Sequence, residues 1–270
     1  MLSVICNAQL SIPVFALPFH ASQFANYKKA EVKVLNIKFI DPDPEVPPTE
    51  GVFEFGDNGA PVRYAVSMKS EDESMNMESE YTYSYSPDGH LIKIDGITTY
   101  DGMEYMHLET FTWGKEFPVE YIFHDPLNIS YKTVYKRNKK SLARSDRYAG
   151  FYEYNDSLEE VELFWVQDGY TDYVTDKKGR ITKISEYRLD PEDSTKSELV
   201  NTRTFEYNMA GLLLNCRYLE TEGRPIYSVS YQYSDKGILE REIFTSYSDT
   251  EHTHQKVYTI CVGCEQSWKK

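Results

Sequence analysis

No run of about 20 apolar residues occurs in the chain, so it offers no candidate for a membrane-spanning helix. Positive charge is also scarce: 29 basic residues stand against 43 acidic ones, a net charge of −14. A nucleic-acid partner calls for a basic stripe, and docking on anionic lipid calls for the same, so both are excluded as expected partners. Signatures of chemistry are missing as well. There is no glycine-rich phosphate loop and no nucleophile elbow around a serine. "DPDPE" and "SPDGH" lack the ligand spacing of a calcium loop. Helical periodicity is absent too. The best candidate, "SLEEVELFW", fits a strand better through Val161, Leu163 and Trp165.

What the chain has in excess is aromatic surface, with 23 tyrosines and 13 phenylalanines. These residue types pack well across a pleated, half-buried sheet. The length of 270 residues suits one large β domain or two smaller ones. "EVKVLNIKFI" (31–40) sets Val32, Val34, Ile37 and Phe39 among polar neighbours and reads as a half-buried strand. It ends in "DPDPEVPPTE", with four prolines in ten residues, and proline lacks the N–H that a sheet ladder needs. A boundary near Pro48 follows, between an N-terminal segment (9–48) and a repeat domain (49–270). Ahead of both, "MLSVICNAQ" has an apolar run, a small residue at Ala8 and then Gln9. It reads as the tail of a signal peptide cleaved after Ala8, so residues 1–8 are expected to be a remnant and the chain to be exported to the periplasm or cell surface. Ile5 stands where a lipoprotein box takes a small residue, so Cys6 is not expected to carry a lipid.

Beyond Pro48 one pattern recurs: an aromatic alternation, a short polar turn, then a second alternating or apolar run. The strongest copies are "VFEFGDNGAPVRYAV", "YTYSYSPDGHLIKI", "YVTDKKGRITKI", "TFEYNMAGLLLNC" and "VSYQYSDKGILEREIF". Weaker copies are "TVYKRNKKSLARS", "FYEYNDSLEEVELFW" and "LETFTWGKEFPVEYIF". Tyr81, Tyr83 and Tyr85 share one strand face. Pro87 presets φ for the turn that follows, and Gly89 takes a positive φ without steric cost. A lone hairpin is marginal in water, so the units must lie side by side in one sheet.

At these residues the chain resembles the YD/RHS-type repeat family, whose units read roughly Tyr-x-Tyr-Asp-x-x-Gly-Arg-Leu before a variable strand. It is similar also to small exported repeat proteins of Bacteroidota with YD-like units. The resemblance spans roughly residues 50 to 250. Ser86, Asn208 and Ser234 follow Tyr85, Tyr207 and Tyr233 where the family has Asp, and only Gly179 and Arg180 keep the Gly-Arg pair. Neither a core-end signature nor a toxin module is present. The resemblance implies consecutive antiparallel hairpins in a long curved or spiral sheet. It gives structural roles to the turn glycines Gly59, Gly89, Gly179, Gly211 and Gly237 and to the aromatics Tyr81, Tyr83, Tyr85, Tyr207, Tyr231 and Tyr233. It implies no catalytic residue.

Near the C-terminus, His252, His254, Cys261 and Cys264 combine His-x-His with Cys-x-x-Cys. Zinc takes four such ligands, but the spacing is not that of a finger, and an exported setting favours a local Cys261–Cys264 disulfide over zinc, with free or otherwise paired thiols as the remaining alternative. Cys216 in "LLLNC" reads as a buried hydrophobe. Neighbouring carboxylates occur at Glu71 to Glu73, at Glu159 with Glu160, and at Asp190 to Asp193. Solvated connectors explain such runs in an acidic chain, although a hydrolase would need two of them across a sugar. The tyrosines are expected to pack inward, with any exposed row available to stack on a sugar or a peptide. The sequence thus points to an all-β, non-enzymatic exported scaffold or binding module for carbohydrate or protein, holding no cofactor or metal. A carbohydrate hydrolase and a toxin-associated immunity or shielding protein are the alternatives.

Overall fold

The computed structural model of the chain describes residues 24–41, 43, 49–70, 76–114, 118–124, 130–138, 141–155, 160–247 and 252–260. Among them are one short helix and sixteen strands: α1 (Phe24–Lys29), β1 (Val34–Ile40), β2 (Thr49–Phe55), β3 (Pro61–Met68), β4 (Met77–Tyr85), β5 (Leu91–Tyr100), β6 (Met103–Trp113), β7 (Pro118–His124), β8 (Ser130–Asn138), β9 (Ser141–Asn155), β10 (Glu160–Thr175), β11 (Ile181–Leu189), β12 (Ser197–Tyr207), β13 (Leu213–Glu220), β14 (Pro225–Tyr233), β15 (Leu239–Ser246) and β16 (His252–Ile260). All belong to one sheet in which sequence neighbours pair antiparallel, as the recurring hairpin pattern leads one to expect. β1, which precedes the proline-rich stretch, pairs with both β2 and β16, so the order of pairing returns to its start.

Alternate hairpin connections fall at opposite ends of the sheet. One end, the turn end, carries the connections β2–β3, β4–β5, β6–β7, β8–β9, β10–β11, β12–β13 and β14–β15. Five of these are the same five-residue turn: 56–60, 86–90, 176–180, 208–212 and 234–238. In each, the first N–H donates to the carbonyl of the fifth residue, and the glycine at position four donates back to the carbonyl of the first. Those glycines have φ from +73° to +89°, a region that penalises any Cβ. The side chains of Ser86, Asp176, Asn208 and Ser234, at position one, accept the N–H of residue five at 2.9–3.2 Å. Serine and asparagine therefore supply the same acceptor as Asp176, while in the turn that begins at Gly56 the Asn58 side-chain oxygen takes the Ala60 N–H at 3.0 Å.

After the turns the ladder slips by one residue, so that Phe55 faces Pro61, Tyr85 faces Leu91, Trp113 faces Pro118 and Tyr207 faces Leu213. The extra residue is a bulge that returns both partners to the inner face. It leaves Val62, Ile92, Val119 and Leu214 exposed, one per hairpin.

The inner face is filled by two apolar clusters. One joins Tyr27, Leu35, Phe53, Tyr64, Tyr83, Ile94 and Leu239, and the other joins Tyr121, Leu142, Tyr173, Ile181, Ile184 and Phe205. Phe111 packs against both. α1 seals the turn end beside the β1–β16 pairing. Tyr27 stacks on Phe55 at 4.8 Å and accepts the N–H of Leu239 at 3.3 Å, while Asn26 donates to the carbonyl of Gly237 at 3.4 Å. The helix thereby ties the first hairpin to the last. Its presence corrects the sequence expectation of no helix, because six residues span less than two turns and show no period.

The outer face of β2 to β5 carries ion pairs. Arg63 bridges Glu54 and Glu80 at 2.8 and 2.7 Å, and Lys93 pairs with Asp95. A lipid-facing barrel needs the reverse, an apolar band outside. No helix among the described residues is long and apolar enough to cross a membrane.

Candidate functional site

The six singled-out tyrosines lie on the inner face. Tyr83 is buried in the first cluster, Tyr81, Tyr85, Tyr231 and Tyr233 pack against it, and Tyr207 packs against the second. Burial drives the phenols of Tyr83, Tyr85 and Tyr231 well above the usual tyrosine range. The aromatic that ends one strand also reaches back to the preceding hairpin. Tyr85 donates to the carbonyl of Pro61, Trp113 to that of Leu91 and Tyr207 to that of Ile181, at 2.7–2.8 Å. His90 stacks on Trp113, and the Arg180 guanidinium lies over Tyr207. Asp190 and Asp193 accept the N–H groups of Glu192 and Thr195 in their own loop. Cys216 faces inward beside Phe205, and burial pushes its thiol up to about 11. His252 and His254 stand opposite Ser246 and Phe244 in the β15–β16 ladder. Cys261, Cys264, Glu71 to Glu73 and Glu159 lie outside the described residues. Among the described residues no group of three or more His, Cys, Asp or Glu is placed to hold a metal.

The end opposite the turns is different. There, β9 and β10 run to 15 and 16 residues, while their outer neighbours stop at Gly150 and Gly169. Residues 151–155 and 160–164 consequently pair only with each other, and 165–167 pair only with 148–150. The stretch that reads as a further copy of the unit, "FYEYNDSLEEVELFW", is thus a long connector of the opposite phase. Phe151, Phe164 and Val166 share one face of this overhang and are 53, 44 and 55% exposed. On its other face Tyr152 stands next to Leu163, and the Lys132 ammonium lies over Trp165 at 4.7 Å. Gly150 admits this packing because a Cβ there would come within 2.9 Å of both Leu163 and Ser130.

Beside the overhang, the inner face of β11 to β14 turns polar. Glu186 accepts from Asn201 Nδ2 at 2.9 Å and from the Arg203 guanidinium. Burial opposes the Arg203 charge, and Glu186 outweighs it and raises the Arg203 pKa. Tyr218 faces Arg203 across the ladder, stacks on Tyr227 at 4.7 Å, and Tyr227 stacks on Phe244 at 4.9 Å. A separate buried acid, Glu109 on β6, accepts the Tyr121 hydroxyl at 3.1 Å. Desolvation pushes its carboxyl up to about 7. Sequence reading passed over these residues because Glu, Asn and Arg at every second position of a strand look solvent-facing. Only their phase relative to the tyrosines marks them as internal.

No family model matches the chain, and no curated protein matches it. Among solved structures it is similar to a porin-like protein from Bacteroides uniformis, with 10% identity over 85% of this chain and 96% of that one and a TM-score of 0.45. It is similar also to a putative outer membrane lipoprotein-sorting protein domain from Vibrio parahaemolyticus, with 10% identity over 90% and 93% of the two chains and a TM-score of 0.28. A third likeness, to a TcdB2-TccC3-Cdc42 structure, has 10% identity, covers 79% of this chain and 21% of the other, and has a TM-score of 0.17. At such identities and scores none of these likenesses assigns an activity.

Proposed function

We propose that the chain is an exported, non-enzymatic β-repeat scaffold that binds a protein or a carbohydrate through the end of its sheet opposite the glycine turns. The observation that carries this reading is the exposed overhang of β9 and β10. Folding alone gives no reason for Phe151, Phe164 and Val166 to stand together in water. Clustered exposed apolar side chains mark interaction sites, where single ones do not. The tyrosine rows are engaged by the interior, which moves the expected recognition surface from the repeated aromatics to the overhang. Asp190 and Asp193 accept N–H groups of their own loop. A photo-crosslinking residue at position 164, compared with one at position 88 in a turn, tests the proposal in cells of the producing organism. A protein or glycan adduct from position 164 alone is expected. Equal adducts from both positions, or none from either together with a blank glycan array, contradict it.

A further inference from the structure

Within that binding end, the geometry points to a subsite for a neutral, hydroxyl-bearing ring, a sugar, at Asn201, Arg203 and Tyr218. This deepens the carbohydrate arm of the proposed function and rests on it. The inference starts from two buried polar atoms without partners, the Asn201 side-chain oxygen and Arg203 Nε. Asn201 is only 5% exposed, and unmet groups at such a position need a partner. Its orientation is fixed, because the Glu186 carboxylate can only accept and so must face the Asn201 amide nitrogen. An acceptor (Asn201 Oδ1) and a donor (Arg203 Nε–H) therefore remain two residues apart on one strand face, and a hydroxyl, which both donates and accepts, has the chemistry to answer either.

Charge narrows the choice further. Glu186 and Arg203 neutralise each other, so a carboxylate or phosphate meets Glu186 unfavourably and a cation meets Arg203 unfavourably. A neutral ligand meets neither obstacle. Beside the polar pair, Tyr218, Tyr227 and Phe244 are locked face to face, forming a preformed apolar wall. Neither phenol of Tyr218 and Tyr227 has a hydrogen-bond partner among the described residues. A few fixed polar groups against an aromatic wall match the alternating C–H and O–H surface of a sugar ring.

Fluorescently labelled protein on a printed array of mono- to octasaccharides tests this, with variants Asn201→Ala and Tyr218→Ala and the pair Phe151→Ser with Phe164→Ser. Each variant is first checked for native far-UV dichroism. Tyr218 is half-exposed, so its replacement keeps the test open if Asn201→Ala does not fold. Wild type is expected to bind at least one saccharide, and each subsite variant to bind it roughly tenfold more weakly. Binding that survives both subsite variants but is lost in the Phe151/Phe164 pair overturns the subsite and leaves the proposed function standing. A blank array overturns the subsite as well, including the case where crystals show a single water bridging Asn201 and Arg203. If the crosslink from position 164 then also fails, the proposed function falls separately.

Discussion

The two ends of the sheet are built on different rules. At the turn end, five turns repeat the same hydrogen bonds and the same left-handed glycine. Aromatic side chains there reach from one hairpin to the carbonyl of the one before. Among exposed apolar residues at that end, Val62, Ile92, Val119 and Leu214 are bulge positions, Val174 is the last residue but one of β10, and Met209 lies in a turn. At the opposite end one connection, 220–224, repeats the glycine turn, but connector lengths vary and one hairpin outgrows its neighbours. There Phe151, Phe164 and Val166 are exposed as a group. Uniformity at one end and variety at the other is what the proposed scaffold would need, with stability assigned to the first and recognition to the second.

The comparison is tested hardest within the turn end itself. Gly59→Ala places a Cβ 2.1 Å from the carbonyl oxygen of Phe24 and 2.6 Å from the N–H nitrogen of Lys28, so α1 must move. A loss of about 4 kcal/mol is expected in urea unfolding, combining left-handed strain with lost helix packing. Gly89→Ala has a similar φ of +80° and nothing within 4 Å, and the same titration should show only about 1–2 kcal/mol. Equal losses would mean that α1 is not docked.

The next effect is electrostatic. Glu109 has a folded pKa of about 7 against an ordinary 4.5, so the folded state holds this proton more tightly than the unfolded one. Its contribution is most favourable below about pH 4.5 and declines as the pH rises toward 7, by roughly 3 kcal/mol across the window. Glu109→Gln should flatten that part of the stability profile. An unchanged profile would place the carboxylate in water rather than in the interior. Smaller still, Tyr207→Phe removes the bond to Ile181 and should cost about 1 kcal/mol by thermal unfolding. Asn208→Ser should change stability by less than about 0.5 kcal/mol, since Ser86 and Ser234 already cap equivalent turns.

The turn end was the legible end. Its glycines and alternating tyrosines are local signals, because a left-handed turn residue and a period of two act within about ten residues. Ser86, Asn208 and Ser234 looked like departures from the repeat only because residue names were compared. Their oxygens make the bond that Asp176 makes. Gly223 is in a sixth copy of the turn, which joins β13 to β14 at the opposite end, and no aromatic alternation leads into it. The other end was not legible, for reasons that are not local. Whether "FYEYNDSLEEVELFW" is a turn-end hairpin or the opposite connector depends on counting strands around the sheet. Whether Asn201 faces inward depends on the register with Glu186 and Tyr218. α1 was hidden by its length, and its role comes from Phe55 and Leu239, far away in the chain.

The most direct test of this division of labour is the thermal midpoint of the variant carrying Phe151→Ser and Phe164→Ser together. With side chains 53 and 44% exposed in a ribbon paired only with itself, the midpoint should stay within about 2 °C of wild type. A fall as large as that of Gly59→Ala would show that the overhang is held by the fold rather than offered to a partner, and would contradict the account.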